Sequence, residues 1–306
     1  MSAIGLGLAA LGRPGYINLG HGGDVADASV EGMERAAYAV LDAAWDGGVR
    51  HVDAARSYGR AEAILAGWLR ARGRRPEDLV VSSKWGYRYT AGWRVNAEHH
   101  EIKDLGAAQL RRQWRESSSL LGEHLDLYQI HSATLDSGVL EDEQVRAELA
   151  ALRARGVRVG LTVTGADQAA TIERALAVGG FDQVQATWNL HERSAEAALA
   201  RARETGLEVY VKEALANGRL TARGAHPALA AAARERGVGA DQIALAAALA
   251  RPWADVVLSG AATVEQLESN LGAADLAWDD ELERELAELA EPAAAYWDAR
   301  SKLTWN

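Results

Sequence analysis

The chain has 306 residues, with 33 Lys+Arg against 43 Asp+Glu and a formal charge of −10. That balance argues against a dedicated nucleic-acid binder, and the absence of cysteine removes disulfides, thiolate metal sites and cysteine nucleophiles. With 48% hydrophobic and 25% charged residues, the composition is that of a folded globule, and no uncharged apolar run is long enough to cross a membrane. In chain order, short apolar β-branched runs predict strands over 5–8, 49–54, 79–84, 125–131, 158–163, 182–186, 208–212 and 255–259. Amphipathic stretches predict helices over 31–47, 61–72, 104–121, 141–155, 167–178, 194–204 and 240–249, with two more over 264–271 and 280–289. Ser194 reads as an N-cap.

The strands are continuous apolar runs rather than alternations, so both faces are covered, as in a parallel sheet. Eight such units match an α/β fold of the closed (β/α)8 TIM-barrel type in number and length. A doubly wound open sheet fits the same local pattern, but no GxGxxG opens a helix after a strand. Without a break in composition, residues 1–306 read as a single barrel domain. Long loops over 11–30 and 85–103 and a C-terminal extension over 279–306 stand outside the rhythm. The apolar start, 1–11, has no basic residue ahead of it and reads as a strand rather than a leader, so the cytoplasm is the expected location.

Four groups fall at or just beyond predicted strand ends: Asp53, Tyr58 five residues on, Lys84 and His131. Singly, each has a bland reading as a helix cap, a rim aromatic, a surface lysine or a packing histidine. In a barrel, neighbouring strands deliver all four to one rim. A carbonyl reduced by hydride needs a proton, and a tyrosine hydroxyl ordinarily ionises near pH 10. A nearby lysine ammonium is expected to lower that value, with Asp53 holding the lysine and His131 bonding the substrate oxygen.

These residues, in this order and within HVDAARSYG and LDLYQIHS, resemble the catalytic tetrad of the aldo-keto reductases. FDQVQATWNLHERS resembles the family's sixth-strand region and LSGAATVEQLESNLGA its cofactor loop and helix, so the resemblance spans nearly the whole chain. It implies a monomeric barrel that binds a nicotinamide cofactor without a Rossmann domain. It also implies reduction of a small aldehyde or ketone, or oxidation of the alcohol, with Tyr58 as proton donor or acceptor. Gln185 and Thr164 match the residues that hold the carboxamide, although Gly165 stands where the family has an asparagine. Lys212 stands where many relatives stack a tyrosine under the nicotinamide, with Glu213 beside it as a candidate ion-pair partner. Leu215, Asn217 and Gly218 match the pyrophosphate loop, Ser259, Gly260 and Ala261 the phosphate and ribose side, and Asn270 the adenine contact. The resemblance implies NADP(H) first and NAD(H) second, although Gly260 and Gln266 replace the basic residues that clamp a 2′-phosphate.

The mixed aromatic and polar loop after the third strand suggests a substrate wall, with Trp85 and Trp93 as candidate contacts. Arg88 and Arg94 beside them either meet an anionic substrate or face water. Trp188 and His191 lie within reach of the mouth, while Trp297 and Trp305 read as packing residues. His99 and His100 form no metal-ligand pattern. Two other classes stay open: a nicotinamide-sensing or regulatory subunit, and a non-redox barrel enzyme using Lys84.

Overall fold

Eight parallel strands close into a barrel in which each pairs with its sequence neighbours and the last returns to the first. The computed structural model describes residues 3–306. The barrel strands are β1 (Ala3–Gly7), β2 (His51–Asp53), β3 (Val80–Trp85), β4 (Leu125–Ala133), β5 (Arg158–Val163), β6 (Gln183–Thr187), β7 (Glu208–Lys212) and β8 (Val256–Ser259). Helices on the outside bury one stripe each. The helix Val30–Asp46 is opened by the Ser29 side chain, which accepts from Gly32 N at 3.0 Å, and it buries Met33, Ala37, Val40, Leu41 and Ala44 at helical spacing. The main apolar core fills the layer between strands and helices, while Leu127, Tyr210, Val256 and Leu258 form a separate cluster.

The eight strands and the helices between them meet the expectation, with several differences in detail. The loop over 85–103 contains an antiparallel hairpin, Tyr87–Tyr89 against Glu101–Lys103, and the following helix starts at Ala107. Ser194 does not cap its helix. Its hydroxyl and amide both bond to the Glu192 carboxylate, and the helix runs Glu196–Glu204 from Ala195. The helix over Pro227–Arg236 lies outside the stretches read as amphipathic, because PALAAAARER has too little contrast between its faces. The last expected helix is broken into Asp280–Glu285 and a short turn over Ala287–Leu289, and a further helix follows over Ala293–Ser301.

Two segments remote in sequence are joined across the mouth. Tyr16 and Asn306 exchange backbone hydrogen bonds of 3.1 Å, and the Asn306 side chain donates to Asn18 O at 2.8 Å. Arg223 grips Asp24 and donates to Leu19 O at 2.8 Å, tying the same loop to the exit of β7. No described helix is long and apolar enough to cross a membrane.

Candidate active site

Parallel register brings the four strand-end groups together. Asp53 pairs with Ser82 across β2 and β3, and Lys84 with Gln129 across β3 and β4. Lys84 and Asp53 are buried, at 1% and 3% exposure, and form an ion pair; the Lys84 ammonium also donates to Ala54 O at 2.9 Å. Asp53 accepts two further bonds, from Ser82 Oγ at 2.5 Å and Gln129 Nε2 at 3.1 Å. A buried pair with its remaining acceptors satisfied is the arrangement that tolerates desolvation.

Tyr58 lies above this pair, with Lys84 Nζ 4.9 Å from its ring centre and the His131 ring edge-on at 5.6 Å. Burial, and then the Asp53 charge, push its hydroxyl well above the ordinary value, with Arg13 opposing them. This corrects the expectation that Lys84 lowers it: the Lys84 charge is answered by Asp53. Burial, then Lys84 and Lys212, hold His131 well below its usual range, so it is a neutral imidazole. Its Nδ1 faces Ser57 Oγ at 3.5 Å, and Tyr87 packs edge-on against it at 4.9 Å.

The turn that carries Tyr58 is fitted against the loop after β1. A Cβ at Gly12 would collide with the Tyr58 carbonyl and with Ala61. Gly12→Ala is therefore expected to shift the Tyr58 backbone at a cost of about 1–3 kcal/mol. Urea unfolding checks this, and a midpoint equal to that of the unmodified protein would contradict it.

Asp53, Tyr58 and His131 line a cavity of about 690 Å³. Gln185, Thr164, Lys212, Leu215, Asn217 and Gly218 line the same cavity, as do Ser259, Gly260, Ala261, Gln266 and Asn270. The exit of β7 is conformationally unusual: Glu213, Ala216 and Asn217 have φ of 55°, 47° and 55°, values that side chains rarely adopt. The lining suits a polar ligand. Asn217 Oδ1 is buried with no donor, and nothing comes within 4 Å of where a Cβ at Gly260 would stand. Asn270 meanwhile donates to Ser259 Oγ at 2.8 Å.

Several expected contacts lie elsewhere. Trp85 is wholly buried in the main core and does not line the cavity. Successive strand residues face opposite ways, so with Lys84 turned inward, Trp85 turns to the helices. Trp93 is also outside the lining, its indole donating to Ala28 O at 2.8 Å. Arg88 and Arg94 are exposed. Trp188 is buried in the core, and His191 bonds Leu289 O at 2.8 Å away from the cavity. Glu213 pairs with Arg300 of the last helix rather than with Lys212. Trp297 packs against the core as expected, but Trp305 lines the cavity, stacked on His100 at 3.9 Å. Arg13, Tyr16, Glu101 and Arg300 also line it, and none carried a signal in the sequence. Arg13 is buried at 2%, pairs with Glu101 and donates to Ser57 O at 2.9 Å.

Known proteins share this fold. The Aldo/keto reductase family model matches residues 3–291. The chain is 27% identical over 296 residues to an uncharacterized oxidoreductase, YrpG, of Bacillus subtilis strain 168, covering 85% of this chain and 88% of that one. It is 29% identical over 152 residues to the pyridoxal 4-dehydrogenase of Microbacterium luteolum, covering 43% and 40%. Its fold resembles that of the aldo-keto reductase AKR11C1 from Bacillus halodurans in its holo form, with a TM-score of 0.71 at 20% identity over 95% and 92% of the two chains. The chain belongs to the aldo/keto reductase family.

Proposed function

We propose that the protein is a nicotinamide-dependent oxidoreductase that reduces an aldehyde or ketone, or oxidises the corresponding alcohol. The observation that carries this reading is that Tyr58, His131 and Asn270 line one and the same cavity. Gln185 and Thr164 would meet the carboxamide, with Leu215, Asn217 and Gly218 along the pyrophosphate and Ser259, Gly260, Ala261 and Asn270 at the adenosine end. A nicotinamide dinucleotide bound there supplies the hydride that no side chain can supply. His131, neutral, donates an N–H to the carbonyl oxygen and orients it. Tyr58, still protonated, gives its proton to the oxygen as negative charge develops there. Asp53 and Lys84 fix the floor beneath Tyr58. Lys84 is engaged by Asp53 and Ala54 O, which weighs against its use as a free amine in a non-redox barrel enzyme.

The adenosine end favours NAD(H), against the expectation from family resemblance. Asp241, Glu265 and Asp24 line that part of the groove, Asp24 next to Gln266, and the one arginine there, Arg223, is already gripped by Asp24. A 2′-phosphate would meet carboxylates without a free cation. Gln266→Arg is expected to raise the NADPH-to-NADH ratio of kcat/KM by about tenfold or more; an unchanged ratio would contradict this. The overall reading is tested by following dihydronicotinamide absorbance with NADH and NADPH against a panel of aldehydes and ketones that includes pyridoxal. Oxidation of the nucleotide with an accepted carbonyl supports it, and failure to bind either nucleotide would remove it.

A further inference from the structure

Tyr58 is held from the loop after β1 by a buried cation that the mechanism above does not use. Arg13 Nη1 donates at 2.9 Å to Ser57 O, the carbonyl of the peptide bond that leads into Tyr58, and also bonds the Glu101 carboxylate of the hairpin. The guanidinium carbon lies 5.2 Å from the Tyr58 ring centre, and 5.4 and 4.7 Å from those of Tyr16 and Trp305, all within reach of cation–π attraction. The two backbones are fitted as closely: Arg60 N donates to Gly12 O at 2.7 Å, and a Cβ at Gly59 would stand 2.9 Å from the Arg13 Cβ. Arg13 Nε is buried with no partner, so Glu101 and Ser57 do not exhaust the guanidinium. Two ion pairs therefore flank Tyr58, and they present opposite ends to it. Of Asp53 and Lys84 at the floor, the anion weighs more at the hydroxyl; of Arg13 and Glu101, the cation does. The other facing groups add less positive charge: His131 is neutral, Tyr16 stays protonated, and Glu213 at the exit of β7 is a smaller negative influence.

We propose that Arg13 is a positioning residue for the proton transfer, holding the turn and ring of Tyr58 and presenting to its oxygen the positive charge that Lys84, answered by Asp53, does not. When Tyr58 gives its proton to the substrate oxygen, negative charge stays on the phenol, and Arg13 stabilises it. Glu101 opposes that effect and sets its size. The inference rests on the oxidoreductase reading for the reaction, but the charge that Arg13 places on Tyr58 can be read without turnover.

The test places 3,5-difluorotyrosine at position 58, whose phenol ionises well below that of tyrosine, and follows its titration by fluorine NMR. Arg13→Met is expected to raise the midpoint by about one pH unit, and Glu101→Gln, whose amide oxygen can still accept from Arg13, to lower it by a comparable step. Arg13→Lys returns the midpoint towards that of the unmodified protein. A purely structural role gives a different pattern: loosening either side of the turn relieves burial, the largest cause of the Tyr58 shift, and lowers both midpoints. With natural Tyr58, single-turnover alcohol oxidation at one fixed pH should fall about tenfold in Arg13→Met, recover in Arg13→Lys and rise in Glu101→Gln. Midpoints that move in the same direction or stay put, or oxidation rates that do not follow them, would overturn the proposal. If Arg13→Met does not fold, Glu101→Gln still decides the sign, and a raised or unchanged midpoint there overturns it. If no variant and not the unmodified protein turns over any alcohol, the oxidoreductase reading fails on its own account, and the titration alone upholds or overturns the action of Arg13 on Tyr58.

Discussion

Tyr58→Phe is expected to lower kcat by at least about 100-fold while leaving nucleotide binding nearly intact. The substitution keeps the ring, and with it the edge-on contact to His131 and the packing over Lys84. It removes only the hydroxyl. Two lining groups do not replace that proton easily: His131 is held neutral by burial and by the charges of Lys84 and Lys212, and Tyr16 is pushed up by its own burial. The direction of the Tyr58 shift adds a pH signature. Because burial and Asp53 keep the hydroxyl protonated, carbonyl reduction should not decline through the mildly alkaline range, whereas alcohol oxidation, which needs the tyrosinate, should rise with pH. Steady-state kinetics in both directions, with nucleotide binding followed by tryptophan fluorescence, check both parts. A variant that retains ordinary turnover would remove Tyr58 from the chemistry.

Glu213→Gln is expected to cost about 3 kcal/mol of stability at neutral pH. Glu213 is only 9% exposed, accepts from Arg300 and from Thr187 Oγ1 at 3.2 Å, and anchors the last helix to the end of β7. The amide leaves Arg300 and Lys212 as two cations with no compensating charge. Burial alone would raise the Glu213 carboxyl, but Arg300 and then Lys212 overcome it and hold it at about 2, against an ordinary 4.5. A carboxyl depressed in the folded state contributes stability that is fully present above the unfolded value. That contribution is lost as pH falls from 4.5 through 2. The gap between the two proteins in urea unfolding should therefore be wide at about pH 7 and narrower at about pH 3. A gap independent of pH would contradict the electrostatic origin.

The barrel was legible because each strand and helix is a local pattern, and the strand ends of a parallel barrel share one rim whatever the loops do. Asp53, Lys84 and His131 could be placed for that reason, and Tyr58 because its turn directly follows β2. Lys84 and Trp85 mark where the reading stopped short. Applied strictly, the two-residue period of a strand puts one inside the barrel and the other outside, so Trp85 could not have served as a wall beside Lys84. Arg13, Arg300 and Trp305 were hidden for a different reason. They sit in segments without a repeating pattern, and their partners are remote: Arg13 meets Glu101 across 88 positions, and Arg300 meets Glu213 across 87. Such pairings are decided by how the chain crosses the mouth. The same crossing brings Trp305 from the chain end onto His100 and turns a packing residue into a cavity wall. The charges beside Gln266 belong to this class as well, since Asp24 reaches Arg223 only through the loop after β1.

The central claim, hydride delivery to a carbonyl at Tyr58, is tested most directly by isotope transfer. The protein is incubated with nicotinamide nucleotide stereospecifically deuterated at the reactive ring carbon on one face, then on the other, together with an accepted aldehyde. The product alcohol is examined by mass spectrometry. The account predicts deuterium on the carbinol carbon from one labelled face and not the other, with the signal lost in Tyr58→Phe. Product alcohol free of deuterium from both labels, or labelled equally in the variant, would contradict it.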